Sequence, residues 1–425
     1  MRESFLHFIW QFQKYDPLNL STSEGKSVEV YSLGQYNRNS GPDFLNAKLL
    51  VDDITWYGHV EIHLRSSDWK RHRHHHDEAY NNVIMHIVWE HDLDVSRQNG
   101  EKIPVIELKN RVKSDLLDKC NQLIKSPEPI PCQDQLENIR QLEIISMMEQ
   151  TGIFRLEKKS TLILDELEKN RGSWEETAYQ LLAKNFGFKT NSEPFHKLSK
   201  ILPHKILVKH RSSQRDIEAL LFGIAGFLPK ESDNEYISEL IHEYQFLSKK
   251  YNLVDYGMLK VEWKFMRMRP ANFPTIRLSQ IASFFIHNSK FFDQFINFNT
   301  IDEVKEMFES KPSIYWQTHY DIDRFSSKSN HGIGSSSINN LIINTVAPLL
   351  AAYSQKTGLS VYMDKSIELL ESIKPEKNNI IDSWNSLGLK AQNAFESQSL
   401  ISLKNDFCLK KKCLSCKIGV SLINR

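Results

Sequence analysis

Apolar residues recur at two different periods along the chain, and the change of period divides it. Phe5, Phe8, Ile9 and Phe12 fall three or four apart and predict a helix that ends before Pro17. Residues 28–33 predict a short strand, and the Gly- and Asn-rich stretch GQYNRNSGP predicts turns after it. Residues 47–51 and 54–64 read as two strands meeting in a tight hairpin at Asp52-Asp53. NNVIMHIVWEHD predicts another strand and IPVIEL a last one. From about residue 135 the helical period takes over, through 138–168, 175–186, 214–227, 235–250 and 336–355. The expected class is therefore α+β: a small α/β domain over residues 1–125, then a large, mostly helical domain over 126–425. The proline-rich KSPEPIPCQDQ marks the boundary.

The strand pattern in GHVEIHL carries the first candidate chemistry. Residues two apart in a strand share a side, which groups His59, Glu61 and His63 against Val60, Ile62 and Leu64. The polar side is either an ordinary solvated sheet face or a carboxylate held between imidazoles. Asp43 stands in a Gly-Pro-Asp corner just before the preceding strand, where a hairpin brings it towards Glu61. Two carboxylates converging from neighbouring strands suit Mg²⁺ or Mn²⁺. Such an ion polarises a phosphodiester oxygen and generates hydroxide at neutral pH.

Composition narrows the setting. The chain has 425 residues, 40% of them hydrophobic and 11% aromatic, enough for a sizeable core. A net charge of +1 gives no global case for nucleic acid or membrane, so either partner must be sought in a local patch. The longest apolar run, LIINTVAPLLAAY, is shorter than the roughly 20 residues a membrane helix needs, so no membrane partner is expected. With no secretory pattern in MRESFLHFIWQFQKYD and only five cysteines, a reducing cytoplasm is the expected compartment.

Four local patches remain. KRHRHHHDEAY supplies Arg71, His72 and Arg73 beside aromatic residues. It reads as a contact for single-stranded nucleic acid, a transition-metal cluster, or a solvated loop. MRMRPANFPTIR sets Arg267, Arg269 and Arg277 around two prolines, either as phosphate contacts or as caps and ion pairs. HGIGSSS, residues 331–337, resembles a phosphate loop but lacks the lysine of one. The C-terminal CLKKKCLSC places Cys408, Cys413 and Cys416 within nine residues, a common start for a Zn²⁺ or iron–sulfur site. Cys132, at the expected domain boundary, is the candidate fourth ligand, and such a closure would staple the chain's end back to the α/β domain.

Two resemblances bear on these patches. Helix, strand, Pro42-Asp43 before the next strand, then Glu61-Ile62-His63 on a third, resembles the PD-(D/E)XK nuclease superfamily, with Glu3 as a further acid. The resemblance implies a metal-dependent nuclease-like domain with Asp43 and Glu61 as ligands. His63 stands where that superfamily carries lysine, and a histidine there serves as base or ligand. Some nucleases of that superfamily hold a 4Fe–4S cluster with one distant and three C-terminal cysteines, at a spacing different from this one. Over its full length the chain resembles a bacterial family of unknown function, through GPDF, VEIHL, SSDW, MRPANFP and the cysteine box. The expectation is a nuclease-like phosphodiesterase acting on nucleic acid. The alternatives are an inactive nucleic-acid-binding module and a protein-interaction scaffold.

Overall fold

The computed structural model describes residues 2–37, 39–309, 311–326 and 332–425. They form two compact units, one of residues 1–149 with 402–425 and the other of residues 150–401. The class is α+β as expected, with a mixed sheet early in the chain and helices after it.

The first unit opens with helix α1 (Glu3–Gln11), whose Phe5, Leu6, Phe8, Ile9 and Trp10 are buried. Strands β1 (Val28–Ser32), β2 (Gln35–Tyr36), β3 (Phe44–Val51), β4 (Ile54–Arg65), β5 (Val83–Glu90) and β6 (Val105–Glu107) make one sheet. Its order is β1-β3-β4-β5-β6, with β2 pairing beside β1 on β3. The expected hairpin joins β3 and β4, and Val51 and Ile54 close it. Asp52 adopts a left-handed φ of 49° there, and its carboxylate accepts the Ser27 amide at 2.9 Å.

β4 and β5 run parallel, so the chain between them must cross over. That crossover holds α2 (Asp68–Arg71) and two single turns, His74–His76 and Glu78–Tyr80. KRHRHHHDEAY is therefore wound into short helical turns, with His74, His75 and Tyr80 half-buried and its other residues exposed. The motif before it explains why. Asp92 accepts from the hydroxyls of Ser66 and Ser67, Asp68 accepts the Arg65 amide, and Trp69 is fully buried with Val83, Val88 and Val105. The Trp69 indole also donates to the Ser96 carbonyl at 3.1 Å. Burying one tryptophan and satisfying its N–H fixes the crossover onto the sheet.

Two irregularities bracket the middle of β4. The β3–β4 register shifts between Phe44 and Ala47, where Asn46 has φ +58°. The β4–β5 register shifts between His59 and Val60. Extra residues of this kind bend a strand and re-aim its side chains.

Helix α3 (Ser114–Lys125) and the start of α4 (Gln141–Lys169) complete the first unit together with the C-terminal helix Lys417–Ile423. The second unit is helical, apart from a two-stranded ribbon, around a core rich in phenylalanine and tryptophan. Its helices begin on caps that the sequence spells: Ser173, Ser213, Asn234 and Thr300 each accept a backbone amide two or three residues on. No described helix is long and apolar enough to cross a membrane.

Candidate functional site

The middle of β4 is buried on both sides: Val60 and Ile62 on one, Glu61 and His63 on the other. Glu61 is 5% exposed and His63 1%, so the solvated-face reading of this strand is corrected. What surrounds the polar side is a set of titratable groups from α1, the corner before β3, the crossover and β5.

Asp43 and Glu61 are cross-laced. The Asp43 amide donates to Glu61 Oε2 at 3.1 Å, and the Ile62 amide donates to Asp43 Oδ2 at 3.0 Å. Each carboxylate is thus oriented by the other's strand. From α1, His7 Nε2 lies 3.2 Å from Asp43 Oδ2, and Glu3 Oε1 lies 3.9 Å from His63 Nε2. Glu3 and His7 are four apart, which places both on one side of the helix.

His63 is the hub of the other half. Its Nδ1 lies 2.8 Å from His86 Nε2, on the adjacent strand, and its Nε2 lies 3.0 Å from His72 Nδ1, on the crossover. Nε2 also faces Glu61 Oε1 at 3.5 Å, and the His74 ring stacks beside it at 5.3 Å. His74 Nε2 reaches Glu61 Oε1 at 3.4 Å, and its ring stacks on Tyr80 at 3.8 Å. Among the described residues, two sets of three ligand-type atoms lie within 4.8 Å of one another: His63, His72 and His74, and Glu3, His7 and Asp43. Glu61 stands between them, one oxygen towards each.

Electrostatics follows from the crowding. Burial, and then the Asp43 charge, push the Glu61 carboxyl up to about 9. Burial also raises Glu3, helped by Asp43. On the imidazole side, burial holds His63 far below its ordinary value, reinforced by His86, His74 and His72. The same causes take His74 down to about 4 and His86 to about 3. At neutral pH His63, His74 and His86 are therefore uncharged rings, beside carboxyls of Glu61 and Glu3 that a cation would ionise.

The remaining candidates fall elsewhere. His59 does not join the cluster, because its Nδ1 accepts the Asn46 amide at 3.2 Å and serves the bulge. Arg71 pairs with Asp68 at 3.0 Å, and Arg73 is exposed. Arg267 and Arg269 are exposed in the second unit, whereas Arg277 is buried there. The Arg277 guanidinium donates to Gln280, Asn272 and Ser337 and lies 4.4 Å over the Phe188 ring, so it is not open to a phosphate. In HGIGSSS, His331 lies outside the described residues, and Gly334 precedes a seven-residue helix.

The cysteines form a second gathering within the first unit. Cys120, Cys132, Cys408, Cys413 and Cys416 are all buried and none is disulfide-bonded. Burial pushes Cys120 and Cys132 up to about 12 and Cys413 up to about 11. Neighbouring cysteines raise each further, Cys413 acting on Cys120, Cys416 and Cys413 on Cys132, and Cys416 on Cys413. Burial raises Cys408 too, followed by Cys132, Cys416 and Cys413. The Ile418 and Gly419 amides donate to the Cys416 sulfur. A Cβ on Gly419 would lie 2.2 Å from the Cys413 carbonyl, so only glycine lets that turn close. Lys411 Nζ ties the segment down by donating to the Ser126 and Glu128 carbonyls.

A family model described as "Protein of unknown function (DUF2851)" matches residues 3–379. The chain belongs to this family. No curated protein and no solved structure matches it. The range the family shares takes in every member of the histidine–carboxylate cluster, and Cys132, and ends before Cys408.

Sequence reasoning singled out Asp43, Glu61, His63 and Glu3 but gave His7 no role, set His86 aside as a core residue and assigned His72 to nucleic acid. The i, i+4 spacing of Glu3 and His7 was an available signal. Nothing in the spacing of His74 pointed to Glu61, because the crossover's path decides that approach.

Proposed function

We propose that this protein is a divalent-metal-dependent phosphodiesterase of the nuclease type, acting on nucleic acid through Asp43, Glu61 and His63. The observation that carries the reading is the cross-laced carboxylate pair. A buried Glu61 forced up to about 9 beside Asp43 costs stability when ionised and gains it once a cation arrives. The order helix, strand, Pro-Asp, strand, Glu-x-His is the layout on which the nuclease resemblance rests, and α1, β1, β3 and β4 have that order.

Asp43 and Glu61 would hold Mg²⁺ or Mn²⁺, hard ions suited to carboxylate oxygens. When bound, such an ion polarises a phosphodiester oxygen and lowers the pKa of its water. The protein supplies the rest. Backbone amides hold each carboxylate, so little reorganisation accompanies binding. His63, kept neutral by burial, offers Nε2 as base or ligand where the superfamily has lysine. Glu3, with a 38% exposed side chain, sits at an open side of the cluster. Exposed Arg71 and Arg73 in the first unit, and Arg267 and Arg269 in the second, are proposed contacts for the phosphate backbone.

A soft-metal centre at Cys132, Cys408, Cys413 and Cys416 belongs to the same proposal. The thiols lie in mutual electrostatic reach, yet among the described residues no three of them fall within 4.8 Å of one another. One tetrahedral Zn²⁺ with bonds near 2.3 Å draws its sulfurs to about 3.8 Å. The looser set favours an iron–sulfur cluster, in which the cysteines bind different irons.

The test is cleavage of single-stranded and duplex DNA and RNA by purified full-length protein with Mn²⁺ or Mg²⁺. Cutting that chelation and Glu61→Gln both abolish is expected. Metal binding without cleavage of any of these substrates would replace the enzyme with a binding module.

A further inference from the structure

The geometry points to a second cation position beside the carboxylate pair, made by His63 Nε2, His72 Nδ1, His74 Nε2 and Glu61 Oε1, which takes a borderline transition-metal ion rather than Mg²⁺. It deepens the phosphodiesterase reading, on whose Asp43–Glu61 site it rests. Glu61 would face both positions, the second held by the imidazoles and the first by Asp43 with Glu3 and His7 beside it.

Distances make the first argument. Four ligands about 2.1 Å from one ion at tetrahedral angles lie about 3.4 Å apart. The contacts are 3.0 Å from His63 to His72, 3.5 Å from His63 to Glu61 and 3.4 Å from His74 to Glu61. The three imidazole nitrogens also fall mutually within 4.8 Å. The three imidazoles already converge as one ligand group, and Glu61 Oε1 lies against two of them.

Satisfaction of polar atoms makes the second. His74 Nε2 is buried with no hydrogen bond among the described residues, and it lies 3.4 Å from Glu61 Oε1. An ion held beside Glu61 Oε1 would give that nitrogen a partner. His63 is oriented from behind, since its Nδ1 lies within hydrogen-bond reach of His86 Nε2. With the proton on Nδ1, the Nε2 lone pair points into the cluster, the arrangement found where a ligating histidine is held by an outer partner. His86 is thus a positioning residue.

Ligand chemistry sets the choice of ion. Three imidazoles and one carboxylate oxygen are a poor shell for Mg²⁺, which takes oxygen ligands and keeps its waters. They suit Zn²⁺, Mn²⁺, Fe²⁺ or Co²⁺. His72 is exposed, so one flank opens to solvent and leaves room for a water or a phosphate oxygen. Paired ions with a shared carboxylate are a known means of steadying both the attacking and the leaving oxygen of a phosphodiester.

The experiment uses chelator-stripped full-length protein titrated with Co²⁺, whose visible absorption reports ligand type and geometry. Cys413→Ser serves as the background, which weakens thiolate bands from the cysteine segment. We expect nitrogen–oxygen d–d bands that Zn²⁺ displaces at least 100-fold more effectively than Mg²⁺. His72→Ala and, separately, His74→Gln should weaken Co²⁺ binding at least tenfold, with unchanged far-ultraviolet circular dichroism. Because His72 is exposed, its replacement keeps the test valid if the His74 variant folds poorly. Co²⁺ spectra and affinity unaffected by His72→Ala would overturn the inference. So would Mg²⁺-supported nucleic-acid cleavage that neither histidine substitution alters, although the phosphodiesterase reading would then survive. Histidine-dependent Co²⁺ binding with no cleavage under any metal would sustain this site and remove the phosphodiesterase reading.

Discussion

Glu61 and Glu218 are both buried carboxyls, and their neighbours give them opposite uses. Glu61 faces Asp43, His63 and His74, the environment for which we propose a cation. Glu218, in the second unit, is 1% exposed and accepts the Tyr236 hydroxyl at 2.6 Å, so its site is already complete. Burial pushes Glu218 up to about 7, against the pull of hydrogen bonds from Tyr236, Ser313 and Gln214. A carboxyl whose folded pKa is raised binds more protons folded than unfolded, so stability falls as pH climbs from about 4.5 towards 7. The full swing is on the order of 3 kcal/mol. Glu218→Gln should flatten that slope, leaving the variant level with the wild type at acid pH and more stable above pH 7. Denaturant unfolding between pH 5 and 8 checks this, and parallel slopes in the two proteins would refute it. At this scale the sequence was legible where one strand carried the signal, as in Asp43, Glu61 and His63. It did not place His74 or His86 beside Glu61 and His63, because a ring on another element becomes a neighbour only through the crossover and the parallel register.

At the scale of elements, the site depends on two register shifts that place residues 59–61. Gly58 pairs with Ala47 at the edge of the first, and a Cβ there would meet Ile84 Cγ2 at 2.4 Å and the Asn82 carbonyl at 2.5 Å. Gly58→Ala should therefore cost about 1–3 kcal/mol as a forced overpacking. It should also weaken divalent-ion binding, since Glu61 is three residues on. A thermal melt with and without Mn²⁺ reads both effects, and an unchanged melting temperature would show that the bulges yield freely. Strands β3 to β6 were readable from alternation and β-branched runs. The crossover was not: KRHRHHHDEAY has the composition of a loop, and only burial of Trp69 and the Asp92 contacts to Ser66 and Ser67 make it an ordered cover. The cysteine segment was readable in part, because three cysteines within nine residues announce a site while the partner must come from elsewhere. Cys132 fits that part, and Cys120, which the sequence gave no role, joins the same neighbourhood. Elemental analysis of purified protein should find iron or zinc that Cys413→Ser loses. Equal metal content in both would leave the five thiols as ordinary buried side chains.

At the scale of the whole molecule, the first unit is discontinuous, since residues 402–425 fold with residues 1–149. A division read along the sequence at residue 125 cannot express that, because the return of the C-terminal segment is a matter of long-range packing. The account's central claim concerns this unit: its sheet holds Asp43 and Glu61 together for a divalent cation. The most direct measurement is the melting temperature of chelator-stripped full-length protein as Mn²⁺ is added. Binding to the folded state alone stabilises by about 2.7 kcal/mol at a hundred times the Kd, or roughly 5–10 °C for a domain of this size. Glu61→Gln keeps the shape and removes the charge, so its melting temperature should stay flat across the same titration. A wild-type melting temperature that does not move with Mn²⁺, or one that moves equally in Glu61→Gln, would contradict the claim.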